Sequence, residues 1–312
     1  MRKVIGIGET ILDILFLGDN PVAAVPGGSS FNGIVSLARA GVPTCFVSET
    51  GEDEVGRKIL RFMEREGIGT EYVGRFSDGK SPVSLAFLDE DNEASYLFYK
   101  NYPALRLQLP RLPEIQAGDL VLYGAYYSLN PVRRPKVLSF LEYARRAGAI
   151  LYYDPNFRAS HAAEVPALLP AIEENMRLAD VVRGSILDFE HIYGPGSPEI
   201  IYKKKVKELC PCFICTEGAG GVTLQAPGVG LRHYAAHELQ PVSTIGAGDS
   251  FNAGILYGIL ELGLDGAALP GADAGVWDRL IGRAQDFSAD VCRSHENYIS
   301  PSFAANLRKG HC

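Results

Sequence analysis

The sequence lacks any long apolar run. Its most apolar segment, around residues 120–125, is far shorter than the roughly 20 residues that span a bilayer. The opening Met-Arg-Lys-Val-Ile-Gly-Ile-Gly has neither the extended apolar stretch nor the small-residue cleavage site of a secretory leader. The expectation is therefore a cytoplasmic protein with no membrane partner. Positive charge is not in excess either. Thirty Lys and Arg face 37 Asp and Glu, a formal net charge of −7. The lysines at 203–205 and 207 read as a solvated helix face. That balance argues against a nucleic-acid partner, although a local cluster of donors can still bind a nucleotide's phosphates.

Six cysteines occur, with Cys210, Cys212 and Cys215 closely spaced. No second Cys/His pair lies at zinc-ligand spacing, and Phe213-Ile214 between them reads as a buried strand. The trio reads as small core residues. Internal repeats, low-complexity tracts and linker-like segments are also missing, so residues 1–312 read as one α/β domain.

What is present is an alternation of short apolar runs and amphipathic stretches. Strands are expected at 4–7, 44–48, 120–123, 150–153, 179–183 and 213–216. Helices are expected at 29–40, 54–66, 133–147, 247–262 and 273–293. This order implies a mainly parallel central sheet with helices on both faces. Residues 71–101 break the rhythm with alternating Val83, Leu85, Phe87 and Tyr96, Phe98 around an Asp-Glu-Asp-Asn turn at 89–92. With residues 11–17 they make a small β-sheet lid, or an edge extension of the main sheet.

The motif Thr244-Ile245-Gly246-Ala247-Gly248-Asp249 opens an apolar helix. Glycines let the backbone approach a ligand, and the N–H groups of Gly246, Ala247, Gly248 and Asp249 can converge as an anion hole. A carboxylate beside such a hole suits a base that deprotonates a nucleophile during phosphoryl transfer. Alone, the pattern also fits a glycine-rich helix start with Asp249 as a plain cap. It is not a Walker A loop, because no Gly-Lys-Ser/Thr follows. Near the start, Gly27-Gly28 opens another helix, with Asn32 one turn in and Asp13 upstream. Amide and carboxylate together suit the hydroxyls of a polyol, while each alone is also an ordinary turn or surface residue.

Taken together the motifs resemble the ribokinase-like, or PfkB, family of carbohydrate kinases. Gly27-Gly28 with Asn32, Gly51 through Gly56, Asp154-Pro155-Asn156-Phe157-Arg158, Thr216 through Gly221 and Gly246 through Asp249 all follow the family's patterns. The resemblance covers about residues 4–300. It implies a ribokinase-like fold and ATP with Mg²⁺. It implies Asp249 as catalytic base and Gly246, Ala247 and Gly248 as anion hole. Asp13, Gly27, Gly28, Asn32 and Arg158 would bind sugar, and Ser185, Asp188, Thr216, Gly218 and Gly221 would line the nucleotide site. Asp-Pro-Asn-Phe-Arg is similar to kinases of fructose and 2-keto-3-deoxygluconate.

The family's usual Asn-x-x-Glu is Ser185-Ile186-Leu187-Asp188 in this chain, which leaves Asp188 to reach Mg²⁺ through water and Ser185 free to cap a helix. Ser243-Thr244 replaces the frequent Asp-Thr, leaving a monovalent-cation site open. A nucleoside kinase of the same family and a catalytically silent sugar-binding regulator are the rival functions. A dinucleotide oxidoreductase lacks its third glycine after Gly6-Ile7-Gly8. Open lid edges offer a route to a homodimer.

Overall fold

The computed structural model describes residues 2–88, 94–104, 106–108 and 111–309. The chain runs β1 (Val4–Ile7), β2 (Ile11–Leu17), β3 (Asn20–Gly27), α1 (Ser29–Arg39), β4 (Thr44–Gly51), α2 (Glu54–Arg65) and β5 (Val73–Phe76). It continues through β6 (Lys80–Leu88), β7 (Ala94–Asn101), β8 (Leu120–Gly124), α3 (Ala125–Leu129), α4 (Arg134–Arg146), β9 (Ile150–Asp154), α5 (Val165–Leu178) and β10 (Val181–Ser185). Then follow α6 (Ile186–Tyr193), α7 (Pro198–Ile201), β11 (Cys212–Thr216), β12 (Val222–Ala226), β13 (Gly230–Tyr234), α8 (Ala247–Glu261), α9 (Ala274–Val291) and α10 (Pro301–Lys309).

Nine strands form one sheet in the order β13-β12-β11-β10-β9-β8-β1-β4-β5. All neighbours are parallel except β11–β12 and β12–β13. Alternation along a strand sends side chains to opposite faces. In β8, Leu120 and Leu122 join the core under α1, α2, α8, α9 and α10, with Phe31, Ile59, Leu256, Trp277 and Ala304. Val121 and Tyr123 join the opposite core, with Phe140 of α4, Ile172 of α5 and Phe189 of α6. Helices thus cover both faces, as the ribokinase-like α/β reading requires. Cys210, Cys212 and Cys215 are fully buried in these cores, and burial pushes their thiols up, that of Cys210 to about 12. No helix among the described residues is long and apolar enough to cross a membrane.

The lid is a four-stranded mixed sheet, β3-β2-β6-β7. It differs from the expected span of 11–17 plus 71–101. Val73–Phe76 pairs with β4 in the main sheet instead, and Asn20–Gly27 supplies a lid strand. Pro21 and Pro26 hide that strand in the sequence, and they are tolerated because β3 is an edge. The expected turn at 89–92 lies outside the described residues.

Candidate active site

Asp154, Ser185 and Thr216 end the parallel strands β9, β10 and β11 along one rim, whereas Gly27-Gly28 lie at the end of the lid strand β3 and Gly246 opens α8. At α8 the entry residue Gly246 has φ 79°, and a Cβ there would overlap the carbonyl oxygen of Asn297. Only glycine fits on both counts. Ser250 N–H donates to Gly246 O at 2.9 Å, and Ala247 N–H closes a turn on Thr244 O at 3.2 Å. The N–H groups of Gly246, Gly248 and Asp249 take no partner among the described residues. Those three N–H groups are free donors at the helix start, whereas Ala247 N–H is engaged in the turn.

Asp249 lies in the first turn of α8 and is 8% exposed. Its Oδ2 accepts from Asn32 Nδ2 at 2.8 Å, which joins α1 to α8. Burial raises its pKa to about 7, against the Asn32 hydrogen bond; Asp154 adds to the rise, and Arg158 and Arg183 oppose it. A carboxylate tuned near neutrality is suited to act as a general base.

Asp13 is also buried, on the inner face of the lid. It accepts from Ser84 Oγ, and Asn297 Nδ2 lies 3.4 Å from its Oδ2. A side chain at Gly27 would overlap the Asp13 carboxylate, and one at Gly28, where φ is 129°, would overlap the Glu9 carbonyl. Burial raises Asp13 to about 6, with the Ser84 hydrogen bond opposing. Arg158 is exposed, yet its charge is felt by both Asp13 and Asp249. Asp13, Gly27, Gly28, Asn32, Arg158 and Asp249 thus converge.

The residues expected to line the nucleotide lie at the ends of β10 and β11 and just beyond them. Ser185 caps α6, and Asp188 returns the bond in a capping box. Asp188 Oδ2 accepts from Ser185 N and Oγ at 2.7 Å each, and Oδ1 accepts from Phe157 N at 2.7 Å. Thr216 ends β11 and accepts from Arg183 at 2.7 Å. Gly218 (φ 57°) and Gly221 (φ 97°) shape the following turn. Ser243 is buried and its Oγ accepts from Ile245 N–H at 3.2 Å, so the hydroxyl brings no charge where the family often has Asp.

Sequence motifs missed four residues. Ser84 and Asn297 hold Asp13. Asn252 donates to Asp154 at 2.6 Å, and Arg183 pairs with Asp154 at 2.9 Å. Only Arg183, a charge ending the apolar run of β10, carried any local signal.

The model of the pfkB family carbohydrate kinases matches residues 2–275. The chain belongs to that family. It is a carbohydrate kinase by this membership, and ATP is the family's nucleotide. It is 28% identical over 267 residues to a fructokinase of Klebsiella pneumoniae, covering 84% of this chain and 86% of that one. It is 24% identical to probable fructokinase-5 of Arabidopsis thaliana, over 98% and 97% of the two chains. In fold it is similar to a fructokinase double mutant from Vibrio cholerae O395 bound to fructose, ADP and potassium ion (TM-score 0.84, 20% identity, 98% of both chains). It is likewise similar to aminoimidazole riboside kinase from Salmonella enterica with aminoimidazole riboside and an ATP analogue (TM-score 0.81, 22% identity, 99% of both).

No group of three or more His, Cys, Asp or Glu able to hold a metal occurs among the described residues. Asp188 Oδ2 is doubly engaged, while Oδ1 takes a single donor and keeps a lone pair. That fits contact with a hydrated Mg²⁺ through water rather than a direct bond.

Proposed function

We propose that the chain transfers the γ-phosphoryl group of ATP to a primary hydroxyl of a fructose-like ketose or sugar acid, with Asp249 as general base. The carrying observation is the 2.8 Å bond from Asn32 to Asp249, which ties a hydroxyl-binding amide to a carboxylate beside free helix-start N–H groups. The sugar lies between Asp13, Gly27-Gly28, Asn32 and the lid. Its hydroxyl oxygen bonds to the γ-phosphorus as the bond to the ADP oxygen breaks, and its proton passes to Asp249. Gly246, Gly248 and Asp249 N–H receive the developing charge. Thr216, Gly218, Gly221 and Ser185 line the nucleotide. Asp188 would hold, through water, the Mg²⁺ that accompanies the nucleotide, and that ion would supply charge neutralisation.

One observation favours a nucleoside acceptor instead. Asp13, Ser84 and Phe98 are cross-strand partners, so Phe98 shares the inner lid face, 48% exposed, where a ring could stack on a base. Coupled ADP release across fructose, ribose, a ketodeoxy sugar acid and nucleosides tests both. A ketose or sugar acid with the highest kcat/KM supports the proposal. A nucleoside leading the panel replaces it, and the absence of acceptor-dependent turnover favours the silent regulator.

The outer lid face carries Ile14, Leu85 and Leu97 in one cross-strand row and the stacked pair Phe16–Phe87 at 5.0 Å. Leu97 is 49% exposed and Tyr99 58%. This supports a homodimer through the lid. Light scattering that returns a monomer removes it.

A further inference from the structure

Arg183 is a buried charge that the proposed mechanism has not used. It is the central residue of β10, two positions before the strand ends at Ser185, and is 5% exposed. Its guanidinium donates to Asp154 Oδ2 at 2.9 Å and to Thr216 Oγ1 at 2.7 Å, and its buried Nε has no partner. It also lies against the start of α8. A Cβ on Gly248 would stand 3.0 and 3.1 Å from its two terminal nitrogens. Gly248 thus has a reason beyond phosphate approach, since any side chain there meets this guanidinium. Phe251 closes the side with its ring 5.3 Å away.

We propose that Arg183 is a positioning residue for phosphoryl transfer: held by Asp154 and Thr216 under Gly248, it supplies the fixed positive charge beneath the anion hole. The inference rests on the kinase reading above. A guanidinium keeps its charge at every working pH, and burial inside low-dielectric walls strengthens its field. Burial works against that charge, but Asp154, with Tyr152 and Asp188 adding, holds it in place. Asp249 faces Asp154, Arg158 and Arg183 as its charged neighbours. Loss of Arg183 leaves Asp154 to disfavour the ionised base.

The alternative is a structural ion pair alone, and the double variant Arg183→Met/Asp154→Asn separates the two by removing both charges. Acceptor-dependent ADP release, its pH profile and titration of Mg·ADP with and without aluminium fluoride are measured on wild type, Arg183→Lys, Arg183→Met and the double variant. Removal of one charge-stabilising group is expected to lower kcat about 10²-fold in Arg183→Met. Its acid limb moves to higher pH, and aluminium fluoride no longer tightens Mg·ADP as in wild type. Arg183→Lys recovers part of the rate. The double variant regains wild-type thermal stability and acid limb but stays about 10²-fold slow. A double variant within threefold of wild-type kcat overturns the proposal, as does Arg183→Met with unchanged aluminium fluoride affinity. If wild type releases no ADP with any acceptor, the kinase reading fails, and the aluminium fluoride titrations still decide the role of Arg183.

Discussion

Asn32 Nδ2 donates to Asp249 Oδ2 across 2.8 Å, inside a core where both residues are nearly sealed from solvent. The bond favours the ionised carboxylate and opposes the rise that burial imposes. Asn32→Leu therefore raises the pKa of the base. The acid limb of the kcat profile should move to higher pH, and activity at pH 7 should fall about tenfold, as loss of a bond to a charged group implies. Rate profiles between pH 5.5 and 9 check it. An unmoved limb removes Asn32 from the tuning of the base.

Asp249→Asn keeps the shape and removes the basic oxygen. Turnover should fall about 10²- to 10⁴-fold, while sugar affinity by calorimetry changes little. The same variant carries a stability signature. Folding raises Asp249 from 3.8 to about 7, so between those values the folded chain holds a proton that the unfolded chain has lost. Stability contributed by this group is present below pH 4 and is lost as pH rises to 7. Wild type should thus lose more Tm than Asp249→Asn between pH 5 and 7.5. Asp13, raised to about 6, adds the same sign over 3.8 to 6 in both proteins and cancels.

Much of this site was legible because its parts are local. Gly27-Gly28, Asn32 and Gly246 through Asp249 each combine a turn with a helix start, and a few adjacent residues specify that geometry. The parallel strands were legible for the same reason, as runs such as Leu120–Gly124 are apolar on both faces. What stayed hidden depends on distant contacts. Asn297 reaches Asp13 across 284 positions, and Arg183 reaches Asp154 across 29. Strand β3 was masked by its prolines, and α5 by Pro170 inside it. The antiparallel pair β12–β13 breaks the strand-helix alternation on which the parallel reading rested.

Gly246→Ala tests the anion hole without touching a side chain. The left-handed φ of 79° and the Asn297 carbonyl both reject a methyl group. Destabilisation should be about 1–3 kcal/mol. Turnover should fall much further than the residual folded fraction explains, because the helix start shifts away from the phosphoryl position. Urea unfolding paired with kcat on the folded protein checks this. A stable variant with full turnover sinks the hole.

Asn297 couples the two halves of the site. Its carbonyl packs on Gly246, its Nδ2 lies 3.4 Å from Asp13 Oδ2, and its buried Oδ1 has no partner. An amide so placed steadies the Asp13 carboxylate that is to receive sugar hydroxyls. Asn297→Leu keeps the backbone contact and removes the amide. Its sugar KM should rise roughly tenfold, the scale of a hydrogen bond to a charged group, with kcat nearly unchanged. Asn297→Asp sets a second carboxylate against Asp13, which raises the Asp13 pKa further, since two close negative charges resist joint ionisation. In that variant KM should fall as pH rises through a value above 6, the opposite of a variant that merely loosens the fold. If both variants leave KM at the wild-type value, Asn297 serves the packing of Gly246 alone, and Asp13 is held by Ser84 without it.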